Sequence, residues 1–86
     1  MEKTDNTMKI EKAIPAIIEY CREWIEDFDL RAELAFNMSF RERIPIENAS
    51  PSLADSITEH IGEWCEDNDC ESLADEITVE DIILNM

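Results

Sequence analysis

The chain has 86 residues, of which 22 are Asp or Glu and 7 are Lys or Arg, so its formal net charge is −15 at pH 7. This charge disfavours direct binding to nucleic acids and to anionic membranes, because both depend on basic side chains that neutralise phosphate groups. The length allows one domain, and a hydrophobic content of 44% is sufficient for a folded core. We therefore expect a single folded domain over residues 1–86.

The sequence also indicates a cellular compartment. It has no apolar run approaching the roughly 18 residues of a membrane-spanning helix, and its first residues, MEKTDNTMKI, lack the apolar stretch of a signal peptide. Its cysteines, Cys21, Cys65 and Cys70, are odd in number, which argues against a disulfide framework. These features predict a cytoplasmic protein with reduced thiols.

The first predicted element is an amphipathic helix over residues 14–28, where apolar side chains recur at the spacing of one helical face. Pro15 fits the first turn of this helix but would break a helix already running from Lys9. Residues 8–14 are therefore expected as a separate turn or an extended lead-in, and residues 1–7 as a frayed end.

Residues 29–49 fit two patterns. Apolar spacing favours a helix over residues 30–40 with Asp29 as its N-cap, but alternation over residues 34–40 is also typical of a half-buried strand. Helix is the preferred interpretation, because a lone strand would leave its backbone groups unpaired. The segment Arg43–Glu47 is expected as an extended linker around its proline.

The C-terminal half contains two helix-start signals. Ser50 followed by Pro51 predicts a helix over residues 51–67. One or two helical turns are expected next, and Thr78 followed by Asp81 then resembles a capping box, which predicts a short terminal helix.

An internal repeat supports this layout. IIEYCREWIEDFDL (17–30) aligns with ITEHIGEWCEDNDC (57–70), and seven of the 14 positions are identical. A period of 40 residues has the size of a helical-pair repeat. The predicted fold is therefore all-α, a small closed bundle of about four helices formed by two helix-turn-helix units.

The predicted core follows the apolar stripes of these helices. Each cysteine aligns with an aliphatic residue of the other copy, so the thiols are expected to pack as small hydrophobes. The two tryptophans are equivalent in the repeat and are expected to pair across the core. The core positions are Ile14, Ile17, Ile18, Cys21, Trp24, Ile25, Phe28, Leu34, Leu53, Ile57, Ile61, Trp64, Cys65, Leu73, Ile77 and Ile82.

Neither a metal site nor a cofactor is predicted. The spacing of His60, Cys65 and Cys70 scatters them over different helix faces. An EF-hand loop beginning at Asp67 would have Ser72 where the glycine belongs and would lack the bidentate glutamate at its twelfth position.

An enzyme is not predicted either. Ser56, His60 and Glu63 can be drawn as a triad, but polar residues one helical turn apart are ordinary on a solvated face. The single glycine, Gly62, lies in a predicted helix, so there is no phosphate-binding loop.

Charge is distributed very unevenly along the chain. Residues 1–43 hold ten acids and seven bases, whereas residues 44–86 hold twelve acids and neither Lys nor Arg. On a continuous helix, the ten carboxylates from Glu59 to Asp81 would be about 3.4 Å apart, as the phosphates of one DNA strand are. This acidity fits either solubility and adaptation to salt or a binding face for a protein with a basic surface.

In its size, its charge and its base-free stretch from Ile44 to Met86, the chain resembles the small acidic anti-restriction and anti-CRISPR proteins of phages and mobile elements. Several of these imitate DNA with surface carboxylates. The resemblance implies an inhibitor that occupies the basic groove of a nucleic-acid enzyme. The phosphate-like groups would then be Glu59, Glu63, Glu66, Asp67, Asp69, Glu71, Asp75 and Glu76.

The alternative function belongs to a different class. A structural or adaptor module would leave one apolar helix face open for a partner helix or for a second copy in a homodimer. An enzyme, as a third possibility, would require a role for His60.

Overall fold

The computed structural model describes the backbone of residues 2–86 and the side chains of residues 10–86. Over this range the protein is all-α and contains no strand, which confirms the predicted fold class. The elements are α1 (Glu2–Trp24), α2 (Phe28–Glu42), α3 (Ile46–Ala49), α4 (Pro51–Asp67), the 3-10 turn Glu71–Asp75 and α5 (Val79–Leu84).

Helix α1 is continuous through Pro15, so the prediction of a separate turn or extended lead-in over residues 8–14 is wrong. Pro15 lacks the N–H that would bond to the carbonyl of Glu11. Both residues are exposed, so water can satisfy that carbonyl and the helix persists. Residues 2–7 belong to α1, and Met1 lies outside the described residues. A helical backbone does not measure fraying in solution, which stays a prediction for residues 1–7.

The corner between α1 and α2 comes earlier than the sequence predicts, since the first helix ends at Trp24 and not at residue 28. Asp27 adopts a left-handed conformation with φ 56°, which Asp tolerates better than most residues. The chain reverses there, and α2 begins at Phe28. The expected N-cap, Asp29, instead lies inside α2 and accepts a hydrogen bond from Arg22.

Helix α2 covers residues 30–40, which confirms helix over strand. Its buried face is formed by Phe28, Ala32 and Ala35 at i, i+4 and i+7. Leu34, predicted to be core, is 58% exposed, and this prediction is wrong. The small alanines face the core, so the larger Leu34 is turned towards solvent.

The predicted linker Arg43–Glu47 is only partly extended. Pro45 has extended backbone angles, but the helical turn α3 begins directly after it and buries Ile46. Helix α4 then spans Pro51–Asp67 with Pro51 at its first positions, which confirms the predicted boundaries, although the Ser50 side chain makes no capping hydrogen bond.

Helix α5 closes the bundle. The predicted capping box is confirmed: the Thr78 hydroxyl accepts a hydrogen bond from the Asp81 N–H, and the Asp81 carboxylate accepts one from the Thr78 N–H, each at 3.1 Å. Although short, α5 contacts all four other helices, and its Ile82 is fully buried. The C-terminal segment is therefore part of the core.

Most of the predicted core side chains are buried, and Ile14 and Trp64 are half-buried against them. Trp24 is 66% exposed, so the prediction of a core position and of a tryptophan pair is wrong. The reason is local: α1 ends at Trp24, and Ile25 and Phe28 close this end of the core in its place.

The two halves of the chain agree only in their first helices. Ile17 and Ile57 are both fully buried, as are Cys21 and Cys65. After α1 comes a 15-residue helix, whereas after α4 comes a five-residue 3-10 turn. The prediction of two equivalent helix-turn-helix units is therefore wrong, while the duplication itself stays a prediction.

Candidate partner-binding surface

The eight carboxylate residues that the sequence singles out are all exposed, and we call them the acidic surface. Four lie on α4 at i, i+4, i+7 and i+8, on the side away from its buried stripe, because a helical face repeats at this spacing. The other four lie on the following turn and 3-10 segment. The α4 members are Glu59, Glu63, Glu66 and Asp67, and the others are Asp69, Glu71, Asp75 and Glu76.

The acidic surface is bent. Helix α4 stops at Asp67, and Asp69 turns the chain with a left-handed φ of 58°. The N–H of Cys70 then bonds to the carbonyl of Cys65 at 2.8 Å, and the 3-10 turn packs back against α4. The even spacing of about 3.4 Å that one continuous helix would give is therefore interrupted, and carboxylates from two packed segments form the surface.

No member of the acidic surface makes an ion pair with a described side chain. Within residues 10–86 the ion pairs are those of Arg22, which contacts Glu19 at 2.6 Å and Asp29 at 2.8 Å. All three of these residues are in the first half of the chain. Among the described side chains, ion pairing is thus confined to that half.

The repeat aligns the arginine of these ion pairs with a glycine. Arg22 aligns with Gly62, and its two carboxylate partners align with Glu59 and Asp69. A Cβ atom at Gly62 would meet no other atom within 4 Å, so a side chain has room there. This glycine lies three residues after Glu59 on α4, the spacing at which Arg22 contacts Glu19 in α1.

An aromatic cluster adjoins the α4 part of this surface. The Tyr20 hydroxyl donates a hydrogen bond to Glu63 Oε1 at 3.2 Å, and the Tyr20 ring meets the His60 ring edge-on at 5.5 Å. The exposed Trp24 ring is 6.3 Å from that of Tyr20. Desolvation, and then the hydrogen bond to Glu63, raise the pKa of Tyr20 above its usual value.

Sequence reasoning missed this cluster. The signal that could have found it is the repeat, which aligns Tyr20 with His60. These equivalent residues, and not the two tryptophans, are the pair that meets where α1 packs on α4. Trp24 lies at the exposed end of this cluster.

The hydrogen bonds of His60 do not follow the triad that the sequence suggested. Its Nδ1 lies 2.6 Å from the main-chain carbonyl of Ser56, and Glu63 is bonded to Tyr20. Ser56, His60 and Glu63 are therefore not linked through their side chains. Among the side chains described, no three His, Cys, Asp or Glu residues are grouped closely enough to hold a metal ion.

The cysteines are part of the packing. Cys21 and Cys65 are fully buried, and Cys70 is half-buried. Burial raises the pKa of the Cys21 thiol to about 11. Burial, with a smaller effect of the nearby Cys70, also raises the pKa of the Cys65 thiol to about 11.

A second exposed feature is apolar and lies on α2. Leu30, Leu34, Met38 and Phe40 are all exposed, Phe40 to 81%. None of the helices in the described part of the chain combines the length and apolar content needed to cross a bilayer.

Comparisons with known protein families, curated proteins and solved structures found no match.

Proposed function

We propose that the protein is a non-enzymatic, acidic protein-binding module, and that its acidic surface binds a basic surface of another protein. The observation that carries this proposal is the exposure of eight carboxylates without a basic partner among the described side chains. Such a surface attracts basic proteins and speeds their encounter. The cost of holding these like charges together is offset when a partner neutralises them.

The more specific form of the proposal is a DNA mimic. On α4, Glu59, Glu63, Glu66 and Asp67 form one solvent-facing stripe, as the phosphates of a strand line one edge of a groove. A nucleic-acid enzyme with a basic groove would bind this stripe in place of its substrate. The protein would then act as a stoichiometric inhibitor.

Trp24 adds apolar contact area beside the acidic surface. It is exposed and lies next to Tyr20, which is bonded to Glu63 of the stripe. Tryptophan is enriched among the residues that dominate binding energy at interfaces. A partner that covers the stripe and Trp24 together would gain apolar contact as well as charge neutralisation.

The first experiment is capture of partners from a lysate of the encoding organism at low and high salt. A variant with Glu63, Glu66 and Asp67 changed to Lys should lose the partner. The matched control changes Glu19 and Glu23 of α1 and Glu26 of the turn that follows it to Lys. These three residues align with acidic positions of α4, and the control should retain most binding. The DNA-mimic form would be contradicted if the captured proteins are acidic, if they stay bound in molar salt, or if duplex DNA does not compete with their binding.

A single substitution tests whether the charge of the acidic surface contributes to partner binding. Gly62→Arg places a guanidinium on α4 three residues after Glu59, the spacing at which Arg22 contacts Glu19. We expect it to weaken partner binding about tenfold, since each lost or neutralised charge contact contributes on the order of 1 kcal/mol. Gly62→Gln is the control, because it adds a long neutral side chain at the same site. Equal binding by the two variants would count against the acidic surface.

A second candidate function uses the exposed apolar residues of α2. An adaptor would bind a partner helix there, as amphipathic helices bind apolar grooves. Salt distinguishes the two candidates, because charge attraction weakens with ionic strength and apolar contact does not.

A further inference from the structure

We propose that α2 is a self-association surface, at which two copies of the chain pack antiparallel about a two-fold axis level with residues 36–37. This surface is separate from the acidic surface, and the inference does not depend on the function proposed for the latter.

The apolar part of the interface is a stripe along α2. Leu30, Leu34 and Met38 follow one another at i, i+4 and i+8 and are 56%, 58% and 43% exposed. A shallow groove of about 180 Å³, lined in part by Leu34, Met38 and Ala49 of α3, runs beside them. The groove can receive an apolar side chain from the second copy.

The charge of this segment favours contact between identical chains. Two copies with a net charge of −15 each repel one another over most of their surfaces. Residues 28–43, which comprise α2 and its C-cap, hold three carboxylates and three arginines and are therefore neutral. Pairing through α2 brings neutral faces together.

The order of charges along α2 selects the antiparallel arrangement. Glu33 precedes the middle of the helix and Arg41 follows it, and neither makes an ion pair with a described side chain. In an antiparallel pair, Glu33 of each copy faces Arg41 of the other, and on the opposite edge Arg31 faces Glu42. A parallel pair would place like charges against each other. A two-fold contact makes every such pair twice.

The dimer is expected to be weak. Helix α2 has 15 residues and is about 22 Å long, so its face is smaller than the roughly 800 Å² per partner of a standard interface. We expect a dissociation constant in the micromolar range. Added salt should strengthen the dimer, because it screens the repulsion between the two acidic chains.

Sedimentation equilibrium at micromolar to millimolar protein concentrations tests the role of the apolar stripe in the dimer interface. Leu34→Asp should weaken the dimer about a hundredfold, because it buries a carboxylate in the apolar stripe. Trp24→Asp is the control, since Trp24 has a similar exposure of 66% but lies at the end of α1 beside Tyr20, next to the acidic surface. Circular dichroism checks that both variants are folded. A wild-type chain that stays monomeric throughout, or equal effects of the two substitutions, would overturn the proposal.

Charge exchange tests the antiparallel register. Glu33→Arg and Arg41→Glu should each weaken self-association about tenfold, because each places like charges opposite one another twice. The double variant should regain wild-type affinity, and an equimolar mixture of the two single variants should form a heterodimer with complementary charges, detected by energy transfer between labels. Failure of both the double variant and the mixture to recover association would exclude the proposed pairing.

Discussion

Tyr20 of α1 and Glu63 of α4 are joined by a hydrogen bond of 3.2 Å at the edge of the acidic surface. This bond fixes one carboxylate of the α4 stripe relative to α1 and places the Tyr20 ring between His60 and Trp24. It links the folded scaffold to the surface for which we propose a function.

Tyr20→Phe removes this hydrogen bond and keeps the ring. Because the site is exposed, we expect only a small loss in the free energy of unfolding. The folded state raises the pKa of Tyr20, so the tyrosine's stabilising effect is present at neutral pH and lost as the pH rises above about 10. Melting temperatures from pH 8 to pH 11 should therefore fall less steeply for Tyr20→Phe than for wild type. Parallel curves would show that the bond does not contribute in solution.

The two tryptophans should respond differently to truncation. Trp24→Ala should change the free energy of unfolding by less than about 0.5 kcal/mol, because the side chain is exposed. Trp64→Ala should cost about 2 kcal/mol, since Trp64 is half-buried against the core. Urea titration followed by circular dichroism measures both. Unfolding caused by Trp24→Ala would show that this side chain is packed against the core in solution. If the variant stays folded and loses the captured partner, Trp24 belongs to the interface.

The thiols should differ in reactivity. Cys21 and Cys65 are fully buried with pKa values near 11, whereas Cys70 is half-buried. A disulfide reagent at pH 8 should therefore modify Cys70 first, and Cys70→Ser should remove the fast phase. All three thiols should react once the chain is unfolded. A fast phase that persists in Cys70→Ser would show that the core opens readily around one of the other two.

Alkaline pH should also destabilise the core through these thiols. The folded state raises the pKa of Cys21 and Cys65 from 9.0 to about 11, so it holds their protons more tightly than the unfolded chain does. Their contribution is present below about pH 9 and is lost as the pH rises towards about 11. Unfolding midpoints in urea at pH 8 and pH 10.5 measure it, with Cys65→Val as a variant that lacks one thiol and should lose less stability. An unchanged pH dependence in that variant would contradict the assignment.

Gly62→Ala should stabilise the protein. The added Cβ meets no atom within 4 Å, and alanine in a helix interior is favoured over glycine by about 1 kcal/mol. A rise of several degrees in the melting temperature is expected, without any change in partner binding, because the substitution adds no charge. A decrease in stability would show that α4 needs the freedom of glycine at this position.

The fold class, the boundaries of α4 and the capping box of α5 could all be predicted from the sequence. Each depends on local physics: apolar side chains at the spacing of a helical face, Pro51 at a first turn, and Thr78 three residues before Asp81. The exposure of the eight carboxylates could also be predicted from the sequence, because a carboxylate without a basic partner is too costly to bury.

The sequence could not predict which apolar residues are buried and which are exposed, because this depends on how the helices pack against one another. Leu34 and Trp24 have the same hydrophobic character as their buried neighbours, but the left-handed turn at Asp27 ends α1 early and directs the small face of α2, with Ala32 and Ala35, to the core. Apolar residues at helical spacing form a stripe that the sequence can identify, but the packing of neighbouring helices determines which stripe is buried. That selection leaves Trp24 beside the acidic surface and an apolar stripe on α2, the two features on which the proposed interactions depend.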